Sequence, residues 1–126
     1  MTTTTAERFT WSDRYLLGHT AMDDTHREFV ACVDALLAAS DAQIPEALEA
    51  FIQHAEAHFK QENEWLAAPD FPGGGECHIG EHEKVINSAY DVREVVAQGR
   101  VDVARDYAQA LADWFRLSTL LLQALQ

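Results

Sequence analysis

Apolar and polar residues alternate along this chain with a period near 3.6 in four stretches, and nowhere with the strict alternation of a half-buried strand. From about Thr20 to Ala39, residues Phe29, Val30, Val33, Leu36 and Leu37 recur at spacings of three, four and seven, and His26 sits on the same stripe. Ser40 and Asp41 interrupt the pattern, and Pro45 suits the first turn of a new helix, where its missing N–H would be unpaired anyway. The second helix is predicted from about Pro45 to Ala67, with Leu48, Phe51, Ile52, Ala55, His58, Phe59, Glu62, Trp65 and Leu66 on one face. A third runs from about Glu76 to Gln98, placing His78, His82, Val85, Ile86, Ala89, Val92, Val95 and Val96 together and stopping at Gly99. The fourth starts at Asp102, a good N-cap, and continues to near the C-terminus with Val103, Tyr107, Ala110, Leu111, Trp114, Ser118, Leu121, Leu122 and Leu125 inward.

Four amphipathic helices with short connections predict an all-α, up-down-up-down four-helix bundle, one domain over residues 1–126. Residues 2–10 are polar and threonine-rich, and their tip is expected to lack fixed structure. Phe9, Trp11, Tyr15, Leu16 and Leu17 fall in an N-terminal arm, residues 1–18, expected to pack across the bundle.

Polar residues interrupt those apolar faces in a pattern of their own. His58 and Glu62 are four residues apart, as are His78 and His82, so each pair lies on one helix face, one turn apart, able to reach a common point. Between the pairs, the segment from Ala68 to Gly75 is too rich in proline and glycine to stay helical and short enough to make its flanking helices antiparallel neighbours. A carboxylate on an apolar face must be paired or protonated, so Glu62 needs a cation or a set of donors. His26, His58, His78 and His82 with Glu62 form a donor set suited to iron, zinc, manganese or copper. The competing reading is a metal-free core whose histidines and Glu62 bond to one another and to buried water.

Charge narrows the partners. Nine basic against 21 acidic residues give a net charge of −12, which argues against nucleic acid or an anionic membrane surface. No basic and apolar leader and no apolar run of about 20 residues occurs, so a cytoplasmic location is expected. Cys32 and Cys77 stand on separate helices with no disulfide or zinc-ribbon spacing and are expected to be free thiols. No nucleophile–base pair or phosphate loop is recognisable, and the expectation is a protein that is not an enzyme, with slow peroxide or superoxide chemistry at an open iron ranked below binding.

The chain resembles the hemerythrin family, in particular its bacterial members. The resemblance rests on Trp11-Ser-Asp-Arg-Tyr15 with Gly18, Asp23-Asp-Thr-His26, His58-Phe59-x-x-Glu62, the turn Phe71-Pro72, His78-x-x-x-His82 and Trp114. It implies a four-helix bundle holding a non-heme diiron centre that binds dioxygen. One iron would take His26 and His58, the other His78, His82 and a fourth-helix histidine, with Glu62 and a fourth-helix aspartate as bridges. Counting from Trp114, that histidine position is Ser118 and the aspartate position Gln123, and no histidine or later acidic residue on the helix restores them. Two histidines and one carboxylate suit a single non-heme iron, with water or an exogenous anion in the open positions. His54, Glu81 and Gln123 are the candidate replacements. His19, ahead of the first helix, is expected in solvent.

Two functions follow. One is a metal protein that binds or senses dioxygen, a related small oxidant or the metal itself. The other is an interaction module that has kept the bundle and lost the metal. The leucine-rich stretch Leu117 to Leu125 either completes the core or serves a homodimer.

Overall fold

The computed structural model describes residues 8–69 and 75–124. Its four helices are α1 (Thr20–Ala38), α2 (Ile44–Leu66), α3 (Gly75–Ala97) and α4 (Val101–Ala124), with short 3₁₀ turns at Asp13–Tyr15 and Asp41–Gln43. Every predicted helix is present within about two residues of its expected ends. α2 packs on α1 and α3, and α4 on α3 and α1, while the α2–α4 diagonal touches little, so the helices close into a square up-down-up-down bundle.

Its core is Val33, Leu36, Ile44, Leu48, Phe51, Ile52 and Ala89, each at most 1% exposed. Full burial of each large side chain contributes about 1.5–3 kcal/mol. Ala104, Ala108 and Ala112, four residues apart on α4, let that helix approach its neighbours closely.

Local chemistry sets the ends. Pro45 lies in the first turn of α2. Gly99 holds a φ of +96°, and the Gly99 and Arg100 amides donate to Val96 O and Val95 O at 2.9 and 3.1 Å, which closes α3 as expected. α4 begins one residue early, at Val101, so Asp102 sits in its first turn and pairs with Arg100. At Gly75 a Cβ would stand 2.3 Å from the Leu66 carbonyl oxygen, so only glycine lets α3 start this close to the end of α2. The Phe71-Pro72 turn, the first residues of the threonine-rich tip and Leu125 lie outside the described residues.

The arm packs across the bundle as expected. Phe9 is 1% exposed, and Phe9 and Tyr15 meet the Phe115 ring edge-on at 5.7 and 5.2 Å. Phe9 N–H donates to Asp34 at 2.9 Å, and Leu17 N–H to the buried Asp23 at 2.8 Å. On α4 Leu111, Ser118 and Leu122 are buried as expected, but Phe115 and Thr119 are buried as well, while Ala110 and Leu121, expected inward, face outward. Its C-terminal half is apolar nearly all round, so periodicity left the edges of that face open; the arm decides them by covering Phe115. Leu117, Leu120 and Leu121 remain 58, 62 and 56% exposed. Among the described residues no helix is long and apolar enough to cross a membrane.

Candidate metal centre

Glu62, His78 and His82 are all buried, and each offers a ligand atom within 4.8 Å of the others'. His26, from α1, completes the group: its Nε2 lies 2.8 Å from Glu62 Oε1. The four side chains line one cavity of about 10 Å3, roofed by Phe29, Phe59, Trp114 and Phe115 and closed by Ser118, Thr119 and Leu122. That is room for about one water or one ion.

Each ring is aimed by packing. His82 stacks on Phe59 at 4.0 Å, one turn from Glu62 on the same strip of α2, and its Nδ1 meets Asn63 Oδ1 at 2.8 Å. His78 stacks on Trp114 at 6.0 Å and sits 4.6 Å from His82, as the four-residue spacing requires. His26 is held edge-on to Phe115 at 5.3 Å.

Burial drives the His82 pKa down to about 3 and lowers that of His78, with the Glu62 charge opposing in both. Both rings are therefore neutral at pH 7. Burial would raise Glu62, but the His26 hydrogen bond and the surrounding imidazoles outweigh it, so the carboxyl titrates below its ordinary range. A neutral His82 that donates Nδ1–H to Asn63 keeps its lone pair on Nε2, and that atom faces Glu62 Oε1 at 3.8 Å. Two electron-rich atoms thus confront each other in a buried site. A cation between them would turn that repulsion into two bonds, and an outer-shell carbonyl on the far nitrogen is the usual partner of a metal-bound imidazole.

Of the five residues expected at the site, the structure gathers His26, Glu62, His78 and His82. His58 stands apart. It is only partly buried, its Nε2 is 2.8 Å from Glu28 Oε2 of α1, and it does not line the cavity. Position 58 sits at the edge of the buried stripe, so its ring can turn to either side, and the Glu28 carboxylate takes it outward. The candidate replacements do not reach the centre. His54 is exposed beside His58, and Glu81 lies 3.9 Å from Lys84. Gln123 donates to the Arg14 and Leu16 carbonyls at 2.5 and 3.0 Å, tying the arm to α4. Ser118 does line the cavity, with a hydroxyl where the resemblance calls for imidazole. His19 caps α1, accepting from Met22 N–H at 3.1 Å. Sequence reasoning missed Asn63, whose only signal was its place beside Glu62 on the flank facing α3.

Two divalent ions at close range need a second anion, and among the described residues Glu62 is the one carboxylate that lines the cavity. A groove of about 350 Å3 between α3 and α4 shares His78, Trp114, Ser118 and Leu122 with the cavity, with Leu117 and Leu121 as its outer wall.

Residues 17–117 match the family model described as the hemerythrin HHE cation binding domain. A similar protein is the bacteriohemerythrin of Ralstonia nicotianae, 39% identical over 105 residues, which span 83% of this chain and 76% of that protein. No solved structure matches the chain.

Proposed function

This chain belongs to the hemerythrin family, whose domain is a cation-binding one, and from that premise we propose that it holds a single non-heme iron and uses it to bind or sense dioxygen or a related small oxidant. The carrying observation is the confrontation of His82 Nε2 and Glu62 Oε1 with His78 within ligand reach. Glu62, His78 and His82 are the proposed ligands, and His26 either joins them or keeps Glu62 oriented through its Nε2 contact. When bound, an iron in such a two-histidine, one-carboxylate set supplies open positions for a small ligand.

This chain's own residues do the rest. Phe29, Phe59, Trp114 and Phe115 exclude bulk water, and Asn63 fixes the His82 tautomer. Ser118 leaves space beside His78 that an imidazole would fill, and the adjoining groove is the path by which a diatomic ligand would enter. We read the site as one that binds a small ligand rather than one that turns over a substrate.

A second reading has one observation in its favour: His26 Nε2 and Glu62 Oε1 already pair at 2.8 Å, which gives the buried carboxylate a partner without an ion, although His26 Nδ1 has none, and such a bundle would act as a structural or interaction module. The experiment is metal analysis of untagged protein, followed by absorption spectra after ferrous iron is added and air admitted. The iron reading expects close to one iron per chain, a charge-transfer band, and loss of both in His78→Ala and His82→Ala. No metal above trace, with chelator leaving the melting temperature unchanged, would establish the metal-free module instead.

A further inference from the structure

The groove between α3 and α4 is larger than the entry of a diatomic ligand requires. Along α4 it extends from Trp114 to Ala124, ten residues or about 15 Å of helix, and its volume is about 350 Å3. Small-molecule sites occupy roughly 300–1,000 Å3, whereas a helix of that length, about 10–12 Å across, fills roughly 1,200–1,700 Å3. The volume therefore suits a slender molecule and not a helix of another chain.

Its walls sort by chemistry. Leu117 and Leu121, one turn apart on α4, are 58 and 56% exposed and form the rim, while the buried His78, Ser118 and Leu122 form the floor. Residues 117–126 carry no charge in a chain that is 24% Asp, Glu, Lys and Arg. Among the described residues no Lys or Arg lines the groove, and its one charged side chain is Glu81, already 3.9 Å from Lys84. An apolar trough left in solvent on so acidic a protein is a binding surface. Its shape calls for an unbranched chain and its leucines for hydrocarbon. A carboxylate or phosphate head would meet Glu81 and a net charge of −12 with no cation in the lining, so the head must be uncharged. The floor's polar group outside the proposed ligand set is the Ser118 hydroxyl, which suits a neutral oxygen.

We propose that the α3–α4 groove binds a neutral aliphatic amphiphile, an unbranched hydrocarbon chain ending in an uncharged oxygen. The chain lies along Leu117, Leu121 and Leu122, and the oxygen rests at Ser118. Because Ser118 lines the metal cavity as well, the bound head stands at the entrance to that cavity.

The probes are 1-hexanol, 1-heptanol and 1-octanol, titrated calorimetrically into the full chain as purified. Each added methylene is expected to tighten binding about fourfold, the transfer value of one buried CH2, until the chain outgrows the groove. Octanoate, with the same chain and an anionic head, should bind at least about tenfold more weakly than octanol. Leu121→Ser should weaken octanol about tenfold, whereas Leu120→Ser, 62% exposed but outside the groove, should leave it unchanged. Ser118→Ala should cost about 2–10-fold and keep the gain per methylene, since it removes only the hydrogen bond to the head. No binding of octanol, octanoate as tight as octanol, or Leu120→Ser as damaging as Leu121→Ser overturns the assignment. A dimer in light scattering that Leu121→Ser breaks gives the face to a second copy and overturns it too. None of these readouts passes through the metal, so failure of the iron centre leaves them untouched.

Discussion

Replacing His26 by leucine in chelator-treated protein removes the partner that Glu62 has in the absence of metal. Glu62 is 2% exposed and bonded to His26 at 2.8 Å. Without that partner a charge at this depth cannot be maintained, and the carboxyl takes up a proton instead. Its ordinary pKa is 4.5, so holding it protonated in the fold at pH 7.0 spans about 2.5 pH units, or about 3.4 kcal/mol at 1.36 kcal/mol per unit. With an unfolding entropy of about 2.1 cal/mol/K per residue over 126 residues, that corresponds to a fall in melting temperature of about 13 °C.

The sign with pH is distinctive. In the variant the folded pKa of Glu62 is raised, so its penalty is absent below pH 4.5 and grows as pH rises. The stability gap between unmutated and variant protein should therefore shrink by about 2.7 kcal/mol between pH 7.5 and pH 5.5, read from urea unfolding followed by circular dichroism. The double variant His26→Leu/Glu62→Leu should recover most of the loss, because a buried pair exchanged for apolar groups is close to neutral. An equal gap at both pH values, or a double variant no better than the single one, refutes the reasoning.

Phe115→Ala should cost about 3–5 kcal/mol and loosen the arm, since Phe115 is the surface on which Phe9 and Tyr15 rest; amide exchange at Phe9 and Leu17 that stays slow would contradict this. Asn63→Leu should weaken metal binding about 10–100-fold in a chelator competition while leaving the helical signal intact, because it removes only the partner of His82 Nδ1. The lowered pKa values of His78 and His82 make the unfolded chain the better proton binder below pH 6.5. Stability of the metal-free protein is thus fully present above pH 6.5 and is lost as pH falls, by about 1.4 kcal/mol per pH unit for His82 down to its folded pKa of about 3, with His78 adding a loss in the same direction; a urea midpoint unchanged between pH 7 and pH 5 is the contrary result.

The helices and their turns were legible in the chain because their determinants are local. A 3.6-residue apolar repeat, Pro45 at a start and Gly99 at a stop act within a few residues of themselves, and the bundle follows from four such elements on short connections. The spacing of His58 with Glu62 and of His78 with His82 likewise fixed which side chains share a helix face, and the absence of a fourth-helix imidazole followed from reading Ser118 and Gln123.

Tertiary structure alone decided how those faces meet. The repeat of α4 placed Leu111, Ser118 and Leu122 inward, but the apolar residues crowded around them left open that Phe115 would be buried beneath the arm and Leu121 turned out. His58 shares a strip with Glu62, yet a carboxylate on the neighbouring helix draws its ring outward, and Asn63 acquires a role only because α3 brings His82 against it. Spacing along one helix fixes a side chain's bearing to within a rotamer, whereas the choice of rotamer belongs to whatever the next helix places opposite.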